Sequence, residues 1–182
     1  MSITFFVGLV VATGFERVAE LVVSTRNAAW SFARGGTEFG RRHFLVMVAL
    51  HCGLLVGCVV EVVVADRPFI GWIGWPMLIM VLASQALRWW CIASLGPQWN
   101  TRVIVVREIP LVTRGPYRWL RHPNYVAVIV EGFALPLVHS AWVTACVFSA
   151  LNALLLFAIR IPCEDRALAT VSTETVAQDS RA

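Results

Sequence analysis

The sequence predicts an all-α integral membrane protein with about five transmembrane helices, joined by a connector of short hairpin and helix and closed by a C-terminal helical extension. Its composition is 58% apolar and 14% charged, with a mean hydropathy of +0.72, far from ordinary soluble usage. Several apolar runs approach the roughly 20 helical residues that span a bilayer. All basic residues are arginine, and they gather in alternate loops.

The elements follow in chain order. The first run, 2–23, lacks a basic leader and carries Glu16, Arg17 and Glu20 within its apolar stretch, so it reads as a mature helix and not as a signal peptide. Runs 43–65 and 69–93 are the second and third spans, and 140–159 is the fifth. The fourth, 124–138, covers only ~22 Å at helical rise. It is expected to span with mismatch, the alternative being half of a re-entrant hairpin with the next helix. Between the third and fourth runs, 99–115 holds two β-branched clusters around a turn near Arg107 to Pro110, which predicts a small hairpin. Gly115-Pro116 then breaks the chain, and Pro116 starts a short helix carrying Tyr117, Arg118 and Arg121. Residues 1–169 form one membrane-embedded domain, with its motif-bearing core at 95–168, and 170–182 read as a disordered polar tail.

The linker after the first run holds Arg26, Arg34, Arg41 and Arg42, and the connector holds Arg102, Arg107, Arg114, Arg118 and Arg121. The opposite turns hold only Asp66-Arg67 and His139-Ser140. The positive-inside rule then places both long linkers and the C-terminus in the cytoplasm and the N-terminus outside. A net charge of +4 is explained by orientation and by contact with anionic headgroups, so no nucleic-acid partner is called for. Cys52, Cys58, Cys91, Cys146 and Cys163 show no CxxC spacing and read as small buried apolar residues. The final Asp-Ser-Arg-Ala is not a prenylation box.

The segment Gly115-Pro-Tyr-Arg-Trp-Leu-Arg-His-Pro-Asn-Tyr125 places both tyrosines of the chain with arginines and a histidine between two apolar runs. Arginines there ordinarily set topology, and Tyr117, Trp119 and Tyr125 would serve equally as an interfacial belt, the role assigned to Trp119. This pattern, preceded by Leu95-Gly96 and Trp99 and followed by Asn152 and Arg160-Ile-Pro-Cys-Glu-Asp165, resembles the isoprenylcysteine carboxyl methyltransferase family over residues 75–168. That family belongs to a wider group of membrane methyltransferases that includes phospholipid N-methylating enzymes.

The resemblance implies a membrane enzyme that moves a methyl group from S-adenosylmethionine to a lipid-bearing acceptor, the cofactor being enclosed by the connector, the fourth helix and the C-terminal extension. It carries cofactor contact onto Tyr117, Arg121, His122, Pro123 and Tyr125, and onto Asn152 and Glu164. Two positions depart from the family pattern: Ala127 replaces a frequent glycine, and Glu164-Asp165 replaces a Glu-Glu pair. Both are mild, so a preserved fold with an altered pocket is expected. Chemically the motif suits the cofactor. Arg121 can pair with its carboxylate, Glu164 can accept from its ammonium or ribose, and Tyr117 or Tyr125 can stack on adenine or face the sulfonium. No metal is expected at His122, because no second histidine or cysteine stands at ligand spacing.

Charges inside the runs are costly and mark function by default. Glu131 lies about 10 Å into the fourth run at helical rise. With Glu16, Arg17, Arg88 and Arg160 it falls in the cytoplasmic half, which predicts either a shared polar cavity or interhelical ion pairs that only hold the bundle. Glu61 and Asp66 fall near the outer surface and read as structural.

Methyl transfer needs alignment and exclusion of water more than covalent chemistry. A carboxylate acceptor would be positioned by Arg88 or Arg160; a phenol or enol would need a base, for which Glu131 or His122 is the candidate. The catalytic set is therefore Glu131, Arg88 and Arg160. A lysine-free, Ala/Val/Arg/Gly-rich composition suggests a GC-biased, bacterial genome, which favours an alkylated phenolic or polyketide lipid over a prenylcysteine carboxylate. The alternatives are a sterol-type membrane reductase using NADPH, which usually has more spans, and a small transporter or channel subunit, for which no internal repeat is visible.

Overall fold

The structure, a computed structural model, describes residues 1–106, 109, 110, 112–167 and 169, with the backbone alone at Arg42 and His43. The polar tail expected at 170–182 lies outside the described residues, as do Arg107, Glu108 and Leu111 of the connector. The element order is α1 (Ile3–Phe32), β1 (Thr37–Phe39), α2 (Arg41–Val64), α3 (Gly71–Leu95), β2 (Val103–Val105), a 3-10 turn (Gly115–Arg118), α4 (Pro123–Leu137) and α5 (Trp142–Leu155). A π-helical stretch, Leu156–Arg160, continues α5 so that one helical run reaches Ala167.

Among the described residues three helices, Phe44–Val64, Gly71–Gln98 and Trp142–Ala167, are long and apolar enough to cross a membrane. α1 has the length, at 30 residues, but carries three charges that turn inward. Its outer face remains apolar, with Phe15 73% exposed. Similar exposure of Leu45, Trp72, Leu154 and Phe157 on the other helices makes an apolar perimeter far larger than water-soluble monomers tolerate. α4 is short and enclosed, packing most extensively on α3 and also on α5 and α2.

Local signals set the helix ends. Ser2 caps α1 by accepting from Phe5 N at 3.2 Å. Pro123 occupies the first turn of α4, where its missing N–H costs nothing. At the start of α5 the carboxylate of Glu61 accepts from Thr144 N (2.7 Å), Thr144 Oγ1 (2.8 Å) and Val143 N (3.1 Å), and Arg67 pairs with it at 2.9 Å. An anion at a helix N-terminus satisfies otherwise orphaned donors, so Glu61 is structural, as expected. α4 and α5 approach closely because Gly132 has no side chain: a Cβ there would overlap the Phe148 ring.

An apolar core of Phe6, Val10, Leu54, Cys58, Val62, Val81, Leu135, Val138 and Phe148 fills the half of the bundle near the α2–α3 and α4–α5 turns. The other half, beside the connector, holds Arg17, Glu20, Arg88, Glu131 and Arg160.

The hairpin expected within 99–115 is corrected. β2 pairs antiparallel with β1, in the α1–α2 linker, with Thr37 opposite Val105 and Phe39 opposite Val103. The β-branched run takes a distant partner, and Arg102 reinforces that choice by facing Glu38 at 3.8 Å and the Phe44 ring at 5.2 Å. Polar side chains of α1 pin the same connector. Asn27 Nδ2 donates to Gly96 O (3.1 Å) and Trp99 O (2.7 Å), and Ser24 Oγ donates to Asn100 Oδ1 (3.0 Å) and accepts from Thr101 N (3.0 Å).

Candidate active site

Gly115 places the motif. At φ +61° a Cβ would overlap Ser94 Oγ, so only glycine lets the chain turn there against α3. The 3-10 turn that follows seats Tyr117 against the Cys91 thiol. Burial and that contact push the Tyr117 phenol well above its ordinary value, which keeps it a neutral donor. His122 then precedes Pro123, and its ring stacks on Tyr125 with centroids 5.5 Å apart.

The C-terminal extension supplies the opposing wall. Tyr125 OH donates to Glu164, and Arg160 Nε donates to Tyr125 OH at 3.1 Å. Arg160 Nη2 also donates to Thr101 O at 2.5 Å, tying α5 to the connector. His122 faces Glu164 through Nδ1 at 3.5 Å and Asp165 through Nε2 at 3.4 Å. Its hydrogen bond to Glu164, with the charges of Glu164 and Asp165, raises the imidazole above its ordinary value despite partial burial. The π-helical stretch precedes these contacts, at a place where such bulges redirect a helix and often mark function.

Between these walls and α1–α2 lies a cavity of about 660 Å³, within the range of small-molecule sites, roughly 300–1,000 Å³. Tyr117, Arg121, His122, Tyr125, Asn152, Arg160 and Glu164 line it, as do Arg88, Arg17 and Glu20. Pro123 does not; it is fully buried and contributes only the start of α4. The walls hold buried polar atoms without a protein partner: Asn100 Nδ2, Trp99 Nε1 and Asn124 Oδ1. Buried polar groups are nearly always satisfied, so this cluster fits a polar ligand.

Deeper in the bundle the charges on α1, α3 and α4 meet. Arg88 donates to Glu131, and Arg17 donates to the same carboxylate at 3.1 Å, to Gln85 Oε1 at 3.0 Å and to Glu20 at 2.9 Å. Arg88 Nε lies 3.4 Å from Glu20. Arg88 and Glu131 are each 3% exposed, so neither charge is tolerable without the other. The two expectations for this cluster therefore coexist: Arg17, Glu20 and Arg88 reach the cavity from inside an interhelical ion network. Glu131 stands behind them, off the cavity wall, and Glu16 turns to Trp89 Nε1 at 2.5 Å.

Sequence reasoning passed over Asn100, Thr101 and Asn124, although Asn124 sits inside the motif. It also passed over His51, a polar residue within an apolar run, which is itself a signal. Among the described residues no three His, Cys, Asp or Glu side chains cluster to hold a metal.

The polar cavity of this helical membrane protein is walled by the short helix α4 and the C-terminal arm, and the family match makes the protein a membrane methyltransferase. The chain belongs to the isoprenylcysteine carboxyl methyltransferase (ICMT) family, whose model matches residues 77–170. It is 38% identical to the uncharacterized protein YpbQ of Bacillus subtilis (strain 168) over 160 residues, 87% of this chain and 94% of that one. It is also 26% identical to an uncharacterized protein of Haemophilus influenzae over 155 residues, 84% of this chain and 88% of the other.

Proposed function

We propose that the protein is an S-adenosylmethionine-dependent O-methyltransferase whose acceptor is a lipid, preferably an alkylated phenolic or polyketide lipid, with a prenylcysteine carboxylate as the family default. One observation carries this: a single cavity joins motif residues with unsatisfied polar atoms at one side to apolar α1 and α2 at the other.

The residues present suit the cofactor. Arg121, on the exposed rim of the cavity, would pair with its carboxylate. Glu164 and Asp165 would accept from its ammonium or ribose hydroxyls. Asn100 and Asn124 offer the partnerless donor and acceptor that an adenine edge requires. Tyr117, His122, Tyr125 and Asn152 complete the wall. When bound, the cofactor supplies a methyl group on a positively charged sulfur. His122 and Arg160 hold Glu164 and Tyr125 in place, and Arg88 presents a cation to the acceptor oxygen. Glu131 positions Arg88 and Arg17 from behind. The apolar wall excludes water, which strengthens every polar contact inside.

By the positive-inside rule the arginines of the first linker and connector support a cytoplasmic location for this end of the bundle, with the N-terminus outside, in a membrane that the composition suggests is bacterial. Phe44, Met47, Val48 and Leu55 of α2 would hold the alkyl chain of the acceptor. Calorimetry tests the cofactor: S-adenosylhomocysteine should bind at micromolar scale, on the order of −8 kcal/mol, and NADPH should not. Labelled methyl appearing in a lipid extract only with the protein would support the acceptor class. Labelling of a prenylcysteine analogue alone would overturn the phenolic preference.

A further inference from the structure

His51 stands on the apolar α2 wall of the cavity, among Met47, Val48 and Leu55. Its Nδ1 lies 2.8 Å from the carbonyl oxygen of Met47, one turn back. A carbonyl only accepts, so Nδ1 carries the hydrogen and Nε2 keeps its lone pair. The ring is braced edge-on against Phe148, with centroids 5.5 Å apart and planes at 82°, and Phe148 is itself seated by Gly132. Nearby charged groups are otherwise engaged: Arg17, Glu20, Arg88 and Glu131 pair with one another, and His122 faces Glu164 and Asp165. An imidazole of fixed tautomer on an apolar cavity wall is what proton abstraction from a lipid hydroxyl requires.

We propose that His51 is the catalytic base of this site and that the acceptor's reacting group is a weakly acidic hydroxyl, phenol or enol. The acceptor O–H bond breaks, its electron pair stays on oxygen, and the proton bonds to Nε2. The resulting imidazolium lies in the field of Glu131 as well as of Arg88 and Arg17, the oxyanion faces Arg88, and the proton returns to water when the product leaves. A carboxylate acceptor would need no such base, so His51 discriminates between the two acceptor classes. This assignment rests on the methyl-transfer reading.

The test uses a long-chain alkyl nitrophenol whose ionisation lies above the assay pH, added to the full chain in detergent micelles without cofactor. Wild type should show the red-shifted band of a phenol hydrogen-bonded to a nitrogen base, without net proton release to buffer, because the O–H donates to His51 Nε2 and full transfer accompanies the reaction. His51→Asn keeps a donor for the Met47 carbonyl but removes the Nε2 acceptor; His51→Gln keeps a polar but non-basic group. Both should lose the band, bind S-adenosylhomocysteine as wild type does, and methylate phenols about 10²–10⁴-fold more slowly. An undiminished shift in both variants, an unshifted phenol band on wild type, or no probe binding would each overturn the assignment. A shifted band in a protein that transfers no methyl group would sink the methyltransferase reading and leave the base standing.

Discussion

Two buried or half-buried glutamates at opposite ends of the bundle show how the fold separates structure from function. Glu61, at the turn end, has its carboxylate fully engaged by three donors at the start of α5 and by Arg67. Glu131, toward the connector end, is held by Arg88 and Arg17, and those arginines continue into a network with Glu20, 3.4 Å from Arg88 Nε, which leaves Arg17 Nε and Gln85 Nε2 without a hydrogen-bond partner. The cavity opens against that network, and beyond it the connector and motif add the unmatched Trp99 Nε1, Asn100 Nδ2 and Asn124 Oδ1. A closed polar cluster locks helices together, whereas an open one stores hydrogen-bonding capacity for a ligand.

The largest effect that tests this contrast is on stability. Glu131→Ala leaves two buried guanidinium groups without their shared anion and should cost about 3–5 kcal/mol, read as a fall in unfolding temperature in detergent. Glu131→Gln keeps the volume and should lower turnover while sparing S-adenosylhomocysteine binding. Unchanged turnover would reduce Glu131 to a packing residue. Next in size, Glu164→Ala and His122→Ala should each weaken S-adenosylhomocysteine binding by about 10–100-fold, the worth of a lost charged hydrogen bond of ~1.5–3 kcal/mol. Normal affinity in both would remove the motif from the cofactor site.

How much of this was visible in the chain follows from the range of each interaction. Helices and breaks depend on neighbours, so the five helical runs and the Gly115-Pro116 break could be read directly. The motif was legible as a concentration of polar groups because polar density between apolar runs is itself unusual. Pairings between distant segments were not. β2 selected Thr37–Phe39, which local β-propensity cannot show, and Pro123 proved to shape the backbone instead of lining the cavity. The charges of α1, α3 and α4 could be placed at one depth by counting residues, but not which faced the cavity. Glu131 and Arg88 differ in that respect only through helix rotation, which packing decides.

At the turn end the predicted effects are smaller. Glu61→Ala should cost about 1 kcal/mol, the usual worth of a helix N-cap, and leave S-adenosylhomocysteine affinity unchanged. A tenfold loss of affinity would show that the two ends are coupled through α5 and would break the contrast.

The smallest expected effect is on pH dependence, and it isolates His122 from the rest of the motif. Because Glu164 and Asp165 raise its folded value, protonation favours the closed arm. That contribution is fully present below the ordinary histidine range and is lost as pH rises through the raised folded value. Unfolding temperature of the wild type should therefore carry a shallow decline across that window which His122→Gln lacks, while Glu61→Ala retains it. An identical pH profile in wild type and His122→Gln would mean that the arm is held by Tyr125 and Arg160 alone, leaving the imidazole only its stacking contact with Tyr125.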